Sequence, residues 1–280
     1  MVFEKCWPEF DRKLKDLKAN AESEKQDFVL FFGQPSPDGM YPAVFLDGYL
    51  EPVKDKDGNS TELGRVKPAK LTDERGNEIR ALPKGVRQIV PYQELVSVFR
   101  LEREFRRFGR RIEIRLESEY SNHLPDYGCL SVGLGFNKMT SKLANISHLY
   151  EIVYTETIPG VSDYTTDDFV ITPEGGGRIE PRAKVTGEGV EWALLARILV
   201  NKGAMGPVPY LVCAGHTADG TAAACNFLAD KWRSLCSSNR DVLPEKHMAF
   251  ILTHPKDDRD CEHGTIGPYF RPPKEPLTAR

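Results

Sequence analysis

The chain has 280 residues, of which 40% are hydrophobic and 28% charged, and its formal net charge is −3. This composition is typical of a globular protein and argues against wholesale disorder, and the slightly negative charge provides no overall basic field for nucleic acid. The N-terminal residues carry charges without an apolar segment, and no apolar run approaches the ~18 residues that cross a bilayer. We therefore expect a cytoplasmic protein without a signal peptide or membrane contact.

The cysteines and histidines indicate neither a disulfide framework nor a metal site. The six cysteines include no CxxC pair, and Cys129 and Cys213 lie inside apolar runs, as small buried side chains do. In so long a chain, this pattern favours a reducing compartment. Cys261 and His263 match no standard zinc spacing, so we expect no metal, and no cofactor is predicted.

The first third of the chain is predicted to contain a helix, a strand and an insertion. Residues 1–26 contain an amphipathic pattern and are predicted as an N-terminal helix. Residues 27–32 form a short apolar run that ends at the turn 33–39, which favours a strand buried on both faces. Residues 50–91 are rich in charged residues, glycine and proline, and are predicted as a polar surface insertion that could hold a β-hairpin.

From residue 92 onward, helical and strand patterns alternate. Helices are predicted at 92–108, 137–146, 187–202 and 221–235. Strands are predicted at 111–116, 127–132, 150–157, 168–172, 208–214 and 248–252. Such alternation is typical of a mostly parallel sheet covered on both faces. We therefore predict a Rossmann-like three-layer α/β domain at 27–263, followed by an extended, proline-rich tail at 264–280.

Three predicted strands end in turns of small residues, which begin at Gly33, Gly133 and Gly215. In an open parallel sheet such turns lie along the carboxyl edge, so we expect them to share one crevice. Glycine lets the backbone approach a ligand closely, and the first turn of a helix offers unpaired N–H groups that favour a phosphate. The pattern predicts a pocket for a nucleotide-like small molecule.

The predicted ligand-binding residues are Gly33, Gln34, Ser36, Gly133, Gly135, Asn137, Thr140, Gly215, His216, Thr217, Gly220 and Thr221. His216 is expected either to contact a phosphate or only to cap the sheet edge. Asp219 would repel a phosphate, so we expect it as a helix N-cap or as an acceptor for a ribose hydroxyl. No turn is a Walker A or a complete GxGxxG motif, and tight α/β turns need glycine for architectural reasons as well.

The segments 131–140 and 210–228 together resemble a known family. In the first, a strand leads into Gly133-Leu-Gly135, and in the second a strand leads into Gly215 and then Gly220-Thr221. They resemble the Rossmann-like nucleotide-sensing domains of bacterial conflict systems, of which the SLOG superfamily is the best-known type. The resemblance implies nucleotide binding at these turns in a sensor of antiviral defence. The acidic residue that SLOG-type enzymes place after the Gly-Thr pair is missing, because residues 222–224 are alanine, and this favours binding over nucleosidase-like cleavage.

Three functions are compatible with these patterns. The first is a sensor or accessory domain that binds a nucleotide or a nucleotide-derived signal. The second is a hydrolase that cleaves an N-glycosidic or phosphate bond of that ligand, for which Asp126, Glu174 and Asp219 are the candidate catalytic carboxylates. The third is a protein-interaction module whose glycine turns are purely architectural.

Arginines crowd the segment from Arg100 to Arg111, and Glu102 and Glu104 interrupt them. We interpret this segment as a solvated helix face with ion pairs, which makes nucleic acid an unlikely partner. The arginines would favour a polyphosphate ligand only if they faced the crevice. An oligomer is possible.

Overall fold

The computed structural model describes residues 3–34, 40–46, 49–50, 69–72, 78–81, 88–116, 123–134, 137–154, 167–181, 189–255 and 264–274. The helices of these ranges are α1 (Phe3–Phe32), α2 (Tyr92–Arg107), α3 (Lys138–Ser147) and α4 (Ala218–Asn239). The strands are β1 (Met40–Leu46), β2 (Tyr49–Leu50), β3 (Ala69–Thr72), β4 (Glu78–Ala81), β5 (Gln88–Ile89), β6 (Arg111–Leu116), β7 (Leu130–Val132), β8 (Tyr150–Tyr154), β9 (Asp167–Ile171), β10 (Val190–Asn201), β11 (Pro207–Gly215), β12 (His247–Pro255) and β13 (Gly264–Arg271). None of the described helices combines the length and the apolar composition needed to cross a bilayer.

Seven of these strands form one sheet in the order β13-β12-β10-β11-β7-β1-β6. Strands β11, β7, β1 and β6 are parallel to one another, whereas β10 is antiparallel to both of its neighbours and β13 is antiparallel to β12. The sheet is therefore mixed, and the prediction of a mostly parallel sheet is wrong. The physical reason is that a short 3-10 turn at Gly203–Met205 joins β10 to β11, and a connection this short closes an antiparallel hairpin.

Helices and a hairpin cover the two faces of the sheet. On one face α1, α2 and α4 enclose a core that contains Phe28, Phe105 and Trp232, and the rings of Phe28 and Trp232 meet edge to face with centroids 5.6 Å apart. On the other face, α3 and the antiparallel β8–β9 hairpin bury Leu143 and Phe169. The molecule is thus an α/β structure with a separate apolar core on each side of its sheet.

The segment 187–202, predicted as a helix, contains the 12-residue strand β10. Ala193 and Leu195 face the core beneath α4, whereas Leu194 and Ala196 face the core beneath α3. A strand that is buried on both faces shows no alternation of polar and apolar residues, and an apolar run rich in alanine and leucine is equally typical of a buried helix. The helix prediction is wrong for that reason.

The segment 27–32, predicted as a strand, is the last part of α1, which continues through the expected boundary at residue 26. Phe28, Phe31 and Phe32 are buried, and their spacing is that of one helical face. The helix ends at Gly33, whose N–H donates to the carbonyl of Val29 at 2.8 Å and whose φ is +93°. Gly33 is therefore a helix C-terminal glycine and does not follow a strand.

The insertion and the predicted tail both contain β-strands. Within residues 50–91, β3 and β4 pair as an antiparallel hairpin, as predicted. Strands β2 and β5 pair at the base of the insertion, and its residues 51–68, 73–77 and 82–87 lie outside the described part of the chain. The predicted tail at 264–280 begins with β13, which is extended but belongs to the sheet because it pairs with β12.

The other predicted elements are confirmed, with their ends shifted by a few residues. The helices are α2, α3 and α4, and the strands are β6, β7, β8, β9, β11 and β12. Four cysteines are buried thiols outside any disulfide, at positions 129, 213, 225 and 236. Burial raises the pKa of Cys236 to about 11, so its reactive thiolate is scarce at neutral pH.

Candidate functional site

Two of the three predicted glycine turns lie side by side. Strands β7 and β11 are parallel neighbours, and the N–H of Gly133 donates to the carbonyl of Cys213 at 3.0 Å. The turns that begin at Gly133 and Gly215 therefore share one edge of the sheet. A Cβ at Gly33 would lie 3.0 Å from the ring of Pro209, near the start of β11. Six residues of strand, roughly 20 Å, separate Pro209 from Gly215, so the prediction that all three turns share a crevice is wrong.

The remaining residues of the first predicted turn add no pocket. Gln34 is exposed and follows the end of α1. Ser36 lies outside the described residues, as does Gly135 of the second turn.

In the turn after β7, the polar side chains bond to the turn itself. Asn137 is the N-cap of α3: its Oδ1 accepts from the backbone N–H groups of Met139 and Thr140, and its Nδ2 donates to the carbonyl of Val132 at 2.9 Å. The Thr140 hydroxyl donates to the carbonyl of Gly133 at 2.7 Å. Both side chains are fully buried. These contacts give Asn137 and Thr140 the role of supports for the backbone at Gly133.

The turn after β11 is held in a similar way. Thr217 is the N-cap of α4, since its Oγ1 accepts from the N–H of Gly220 at 3.1 Å, and the Thr221 hydroxyl accepts from the N–H of Gly215 at 3.0 Å. A Cβ at Gly215 would lie 2.3 Å from the backbone nitrogen of Thr221. The strand thus packs directly against the first turn of the helix, and only glycine fits there. Because Thr217 is the N-cap, the N-cap role considered for Asp219 is wrong.

His216 packs on the face of the sheet that α3 covers. Its ring stacks on Trp192 with centroids 5.9 Å apart and planes 26° apart, and the Trp192 indole N–H donates to Asp168 at 2.9 Å. The position of His216 is therefore explained by this aromatic contact.

A groove between α2 and α4 is the feature best suited to hold a ligand. It has a volume of about 230 Å³ and lies beside the first turns of α4. Helix α2 contributes Tyr92, Gln93, Val96, Ser97 and Arg100, helix α4 contributes Asp219, Ala222, Ala223 and Asn226, and His254 comes from β12. The alanines leave this room because their side chains are small. The volume is below the ~300 Å³ at which drug-sized pockets begin, so the groove suits a small polar molecule or one end of a larger one.

Arg100 places a cation at the rim of this groove. Its guanidinium lies 2.7 Å from the carboxylate of Asp230, and the two side chains are 39% and 48% exposed. An ion pair this exposed is weak, so a bound anion can compete for the guanidinium. Farther along α2, Arg106 pairs with Glu102 and Arg107 with Glu104, which agrees with the prediction of a solvated helix face with ion pairs.

Beneath the groove, pairing of β10 with β12 brings an acid and a histidine together. Glu191 lies opposite His254 in the register, and its Oε2 is 3.8 Å from the His254 Nε2. The Thr217 hydroxyl donates to the same Oε2 at 2.5 Å. Nδ1 of His254 lies 3.0 Å from the carbonyl of Pro255. When Nδ1 carries the proton and donates it to that carbonyl, Nε2 is the basic nitrogen, which is the arrangement that acid–base chemistry uses.

The structure separates the three predicted catalytic carboxylates. Asp219 lines the groove. Asp126 is 68% exposed and lies 3.5 Å from Lys202, and Glu174 forms a 2.6 Å ion pair with Lys246. Asp126 and Glu174 are therefore in surface ion pairs outside the groove, which leaves Asp219 as the predicted carboxylate that lines it.

Neither a metal site in the described residues nor a comparison with known proteins assigns a function to the groove. No group of three or more histidine, cysteine or acidic side chains in the described ranges could hold a metal ion, and Cys261 and His263 lie outside those ranges. No family model matches the chain, and neither a curated protein nor a solved structure matches it. The resemblance to nucleotide-sensing domains therefore stays a prediction from the two glycine turns.

The sequence patterns did not reveal the residues of α2, α4 and β10 that complete this site. Tyr92, Gln93 and Asn226 showed no motif, because single polar residues on amphipathic helices are common. Glu191 was assigned to a helix, and only the strand register places it opposite His254, 63 positions later. The arginine cluster was the one available signal, and Arg100 is the member of it that lines the groove.

Proposed function

We propose that the protein binds a nucleotide or a nucleotide-derived signal, as a sensor or accessory domain, with part of the ligand held in the α2–α4 groove. The observation that carries the proposal is the groove's mixed chemistry. In one cavity it combines the guanidinium of Arg100, the carboxylate of Asp219, the carboxamide of Asn226 and the ring of Tyr92. The first turn of α4 already carries the Asp219 carboxylate, so Arg100 is the group in the groove that attracts an anion.

Each part of a nucleotide has a matching group. Arg100 suits a phosphate, because a guanidinium donates two parallel hydrogen bonds to it. Asp219 suits ribose hydroxyl donors, since a carboxylate only accepts. Tyr92 is 75% exposed and offers its ring face for stacking on a base at the rim of the cavity. The limited volume then encloses the sugar and phosphate and leaves the base at the rim.

Thermal unfolding of the purified protein with a panel of nucleotides, dinucleotides, cyclic oligonucleotides and NAD-type compounds tests this proposal. A ligand present at ~100 Kd adds about 2.7 kcal/mol to the free energy of unfolding, which is readily measured. We expect Arg100→Gln to weaken binding at least ~10-fold, a loss of about 1.4 kcal/mol. Asp219→Asn should weaken the binding of ribonucleotides more than the binding of their deoxy analogues.

The matched control is Arg103→Gln, an exposed arginine on the same helix that does not line the groove. It should leave affinity unchanged. Equal losses in Arg100→Gln and Arg103→Gln would indicate general electrostatics and contradict the groove. A panel without any stabilising compound would also contradict ligand binding and favour a protein-interaction module.

Hydrolysis of an N-glycosidic or phosphate bond is a second candidate function. The observation that favours it is the Glu191 carboxylate beside His254, because His254 lines the groove and could act as a general base. Product analysis of the protein with its stabilising nucleotide tests it. Glu191→Gln should abolish turnover while binding persists. A stabilising ligand that is recovered intact would restrict the function to binding.

A further inference from the structure

A second cavity lies on the α3 face of the sheet, at the other end of β12. Its volume is about 410 Å³, and it is lined by the end of α3, the end of β10, His247 and Lys274. His247 begins β12, and His254, at the α2–α4 groove, follows seven residues later, roughly 20 Å along the strand. The two cavities are therefore separate.

His247 carries a polar atom that the described residues leave unsatisfied. The side chain is 1% exposed, and its Nδ1 accepts a hydrogen bond from the backbone N–H of Leu199 at 3.0 Å. An Nδ1 that accepts carries no proton, so the proton of the neutral ring is on Nε2. No described group accepts from Nε2, although the nitrogen is buried. A buried donor without a partner costs about 1–3 kcal/mol, so a ligand acceptor there would recover that energy.

The charges around the cavity favour an anion. Lys274 lines it, and Arg197, Arg271 and His148 lower the pKa of His247 to about 4, after burial as the largest cause. His247 is therefore a neutral N–H donor at physiological pH. The carboxyl end of α3 opposes an anion, but Arg271 donates to the carbonyl of His148 at that end and offsets its negative dipole. Among the described residues that line the cavity there is no carboxylate.

We propose that this cavity is a binding site for the anionic oxygen group, carboxylate or phosphate, of a small molecule. The Nε2–H of His247 donates to one oxygen, and the ammonium of Lys274 faces the charge. The cavity exceeds the size of a bare phosphate ion and lies within the range of small-ligand pockets, so the anionic group belongs to a larger organic molecule.

Titration with inorganic phosphate and, separately, with succinate tests this site. The readout is the histidine side-chain ¹⁵N–¹H spectrum, in which Nε2 of His247 is observed directly. We expect a saturable shift of this resonance with at least one probe, and which probe binds more tightly distinguishes a phosphate from a carboxylate site. Lys274→Ala should weaken binding at least ~3-fold, and the exposed control Lys231→Ala should not.

A second variant protects the test against loss of the fold. His247→Asn keeps an acceptor near the Leu199 N–H but removes the Nε2–H donor, and it should abolish the saturable response in thermal unfolding. An His247 resonance that does not respond to either probe at tens of millimolar would overturn the proposal. So would a response that Lys274→Ala leaves unchanged.

Discussion

Arg197 is a cation in the interior of the molecule. It lies on β10, is 2% exposed, and donates to the backbone carbonyls of Leu30, Phe31 and Leu243 at 2.7–2.9 Å. Leu30 and Phe31 belong to the last turn of α1, whose carbonyls have no partner within the helix. One arginine therefore satisfies the end of α1, ties it to the sheet and holds the segment after α4.

Replacing Arg197 with methionine keeps the aliphatic volume but removes these donors. We expect the free energy of unfolding to fall by about 3–5 kcal/mol, because buried acceptors are left without their charged partner. Urea denaturation measures the change. Arg103→Met, on the exposed face of α2, is the control and should stay within ~0.5 kcal/mol of the parent. A loss below ~1 kcal/mol in Arg197→Met would contradict this role.

His247 should make the protein less stable in acid. Burial is the main cause that lowers its pKa from 6.5 to about 4, so the unfolded chain takes up a proton in this interval while the folded chain does not. The free energy of unfolding that depends on a neutral His247 is fully present above pH 6.5 and is lost as the pH falls towards 4. Between pH 7 and pH 5 the loss is about 2 kcal/mol.

Urea unfolding of His247→Asn at both pH values tests this dependence. The variant should lose less stability between pH 7 and pH 5 than the parent does. Identical acid dependence in the parent and in His247→Asn would show that other groups cause it.

At the scale of elements, the contact between β11 and α4 depends on Gly215. An alanine there would place its Cβ 2.3–2.7 Å from backbone atoms of Gly220 and Thr221, so the helix would have to move. We expect Gly215→Ala to destabilise the fold by ~2–3 kcal/mol. Gly220→Ala meets its nearest atom at 3.3 Å and gains helix propensity, so it should remain within about 1 kcal/mol of the parent. Thermal unfolding of both variants measures which one is less stable. A Gly220→Ala variant that is less stable than Gly215→Ala would contradict the close contact at Gly215.

Elements with one polar face were predicted reliably, whereas fully buried segments were predicted correctly at β11 and β12 but not at β10 or at the end of α1. Helix α2 and strand β6 each have one polar face, and both were located within a few residues. The end of α1 and strand β10 are buried almost all round, and each was assigned the other's structure. The error at β10 changed the predicted topology, because the sequence was expected to form a helix where the protein has a strand. That strand pairs antiparallel with both β11 and β12.

Prediction of the site was limited in the same way. The turns at Gly133 and Gly215 were placed on one edge correctly, since local glycine and N-cap patterns at Asn137 and Thr217 mark strand-to-helix turns. Their polar side chains proved to support the turns. Glu191 and His254 meet only through strand register, and Arg100 and Asp219 line the same groove only because α2 packs on α4; neither arrangement leaves a signal in local sequence.

At the scale of the whole molecule, α1 has two distinct parts. Its 30 residues span about 45 Å. The side chains of residues 15–23 are exposed, whereas Phe28, Phe31 and Phe32 belong to the core between the sheet and helices α1, α2 and α4. The second part also supplies the carbonyls that bind Arg197.

Two truncations separate these parts. Removal of residues 1–20 should change the melting temperature by no more than ~4 °C, because the described side chains of that stretch are exposed. Removal of residues 1–32 should abolish cooperative unfolding, since three core phenylalanines are lost at ~3–5 kcal/mol each. Circular dichroism during heating distinguishes these outcomes. A cooperative transition in the longer deletion would show that the core forms without α1.

The two outermost strands of the described sheet, β13 and β6, are the places where another copy of the protein could extend it. An outermost strand exposes unpaired backbone groups that can hydrogen-bond to the same strand of another molecule and begin aggregation. On β6, the charged side chains of Arg111, Glu113 and Arg115 alternate with isoleucines, and charged residues on an outermost strand oppose pairing with another copy. On β13, Pro268 lacks the N–H that a continuous intermolecular ladder requires. Both features oppose the formation of fibres by pairing of these outermost strands between molecules.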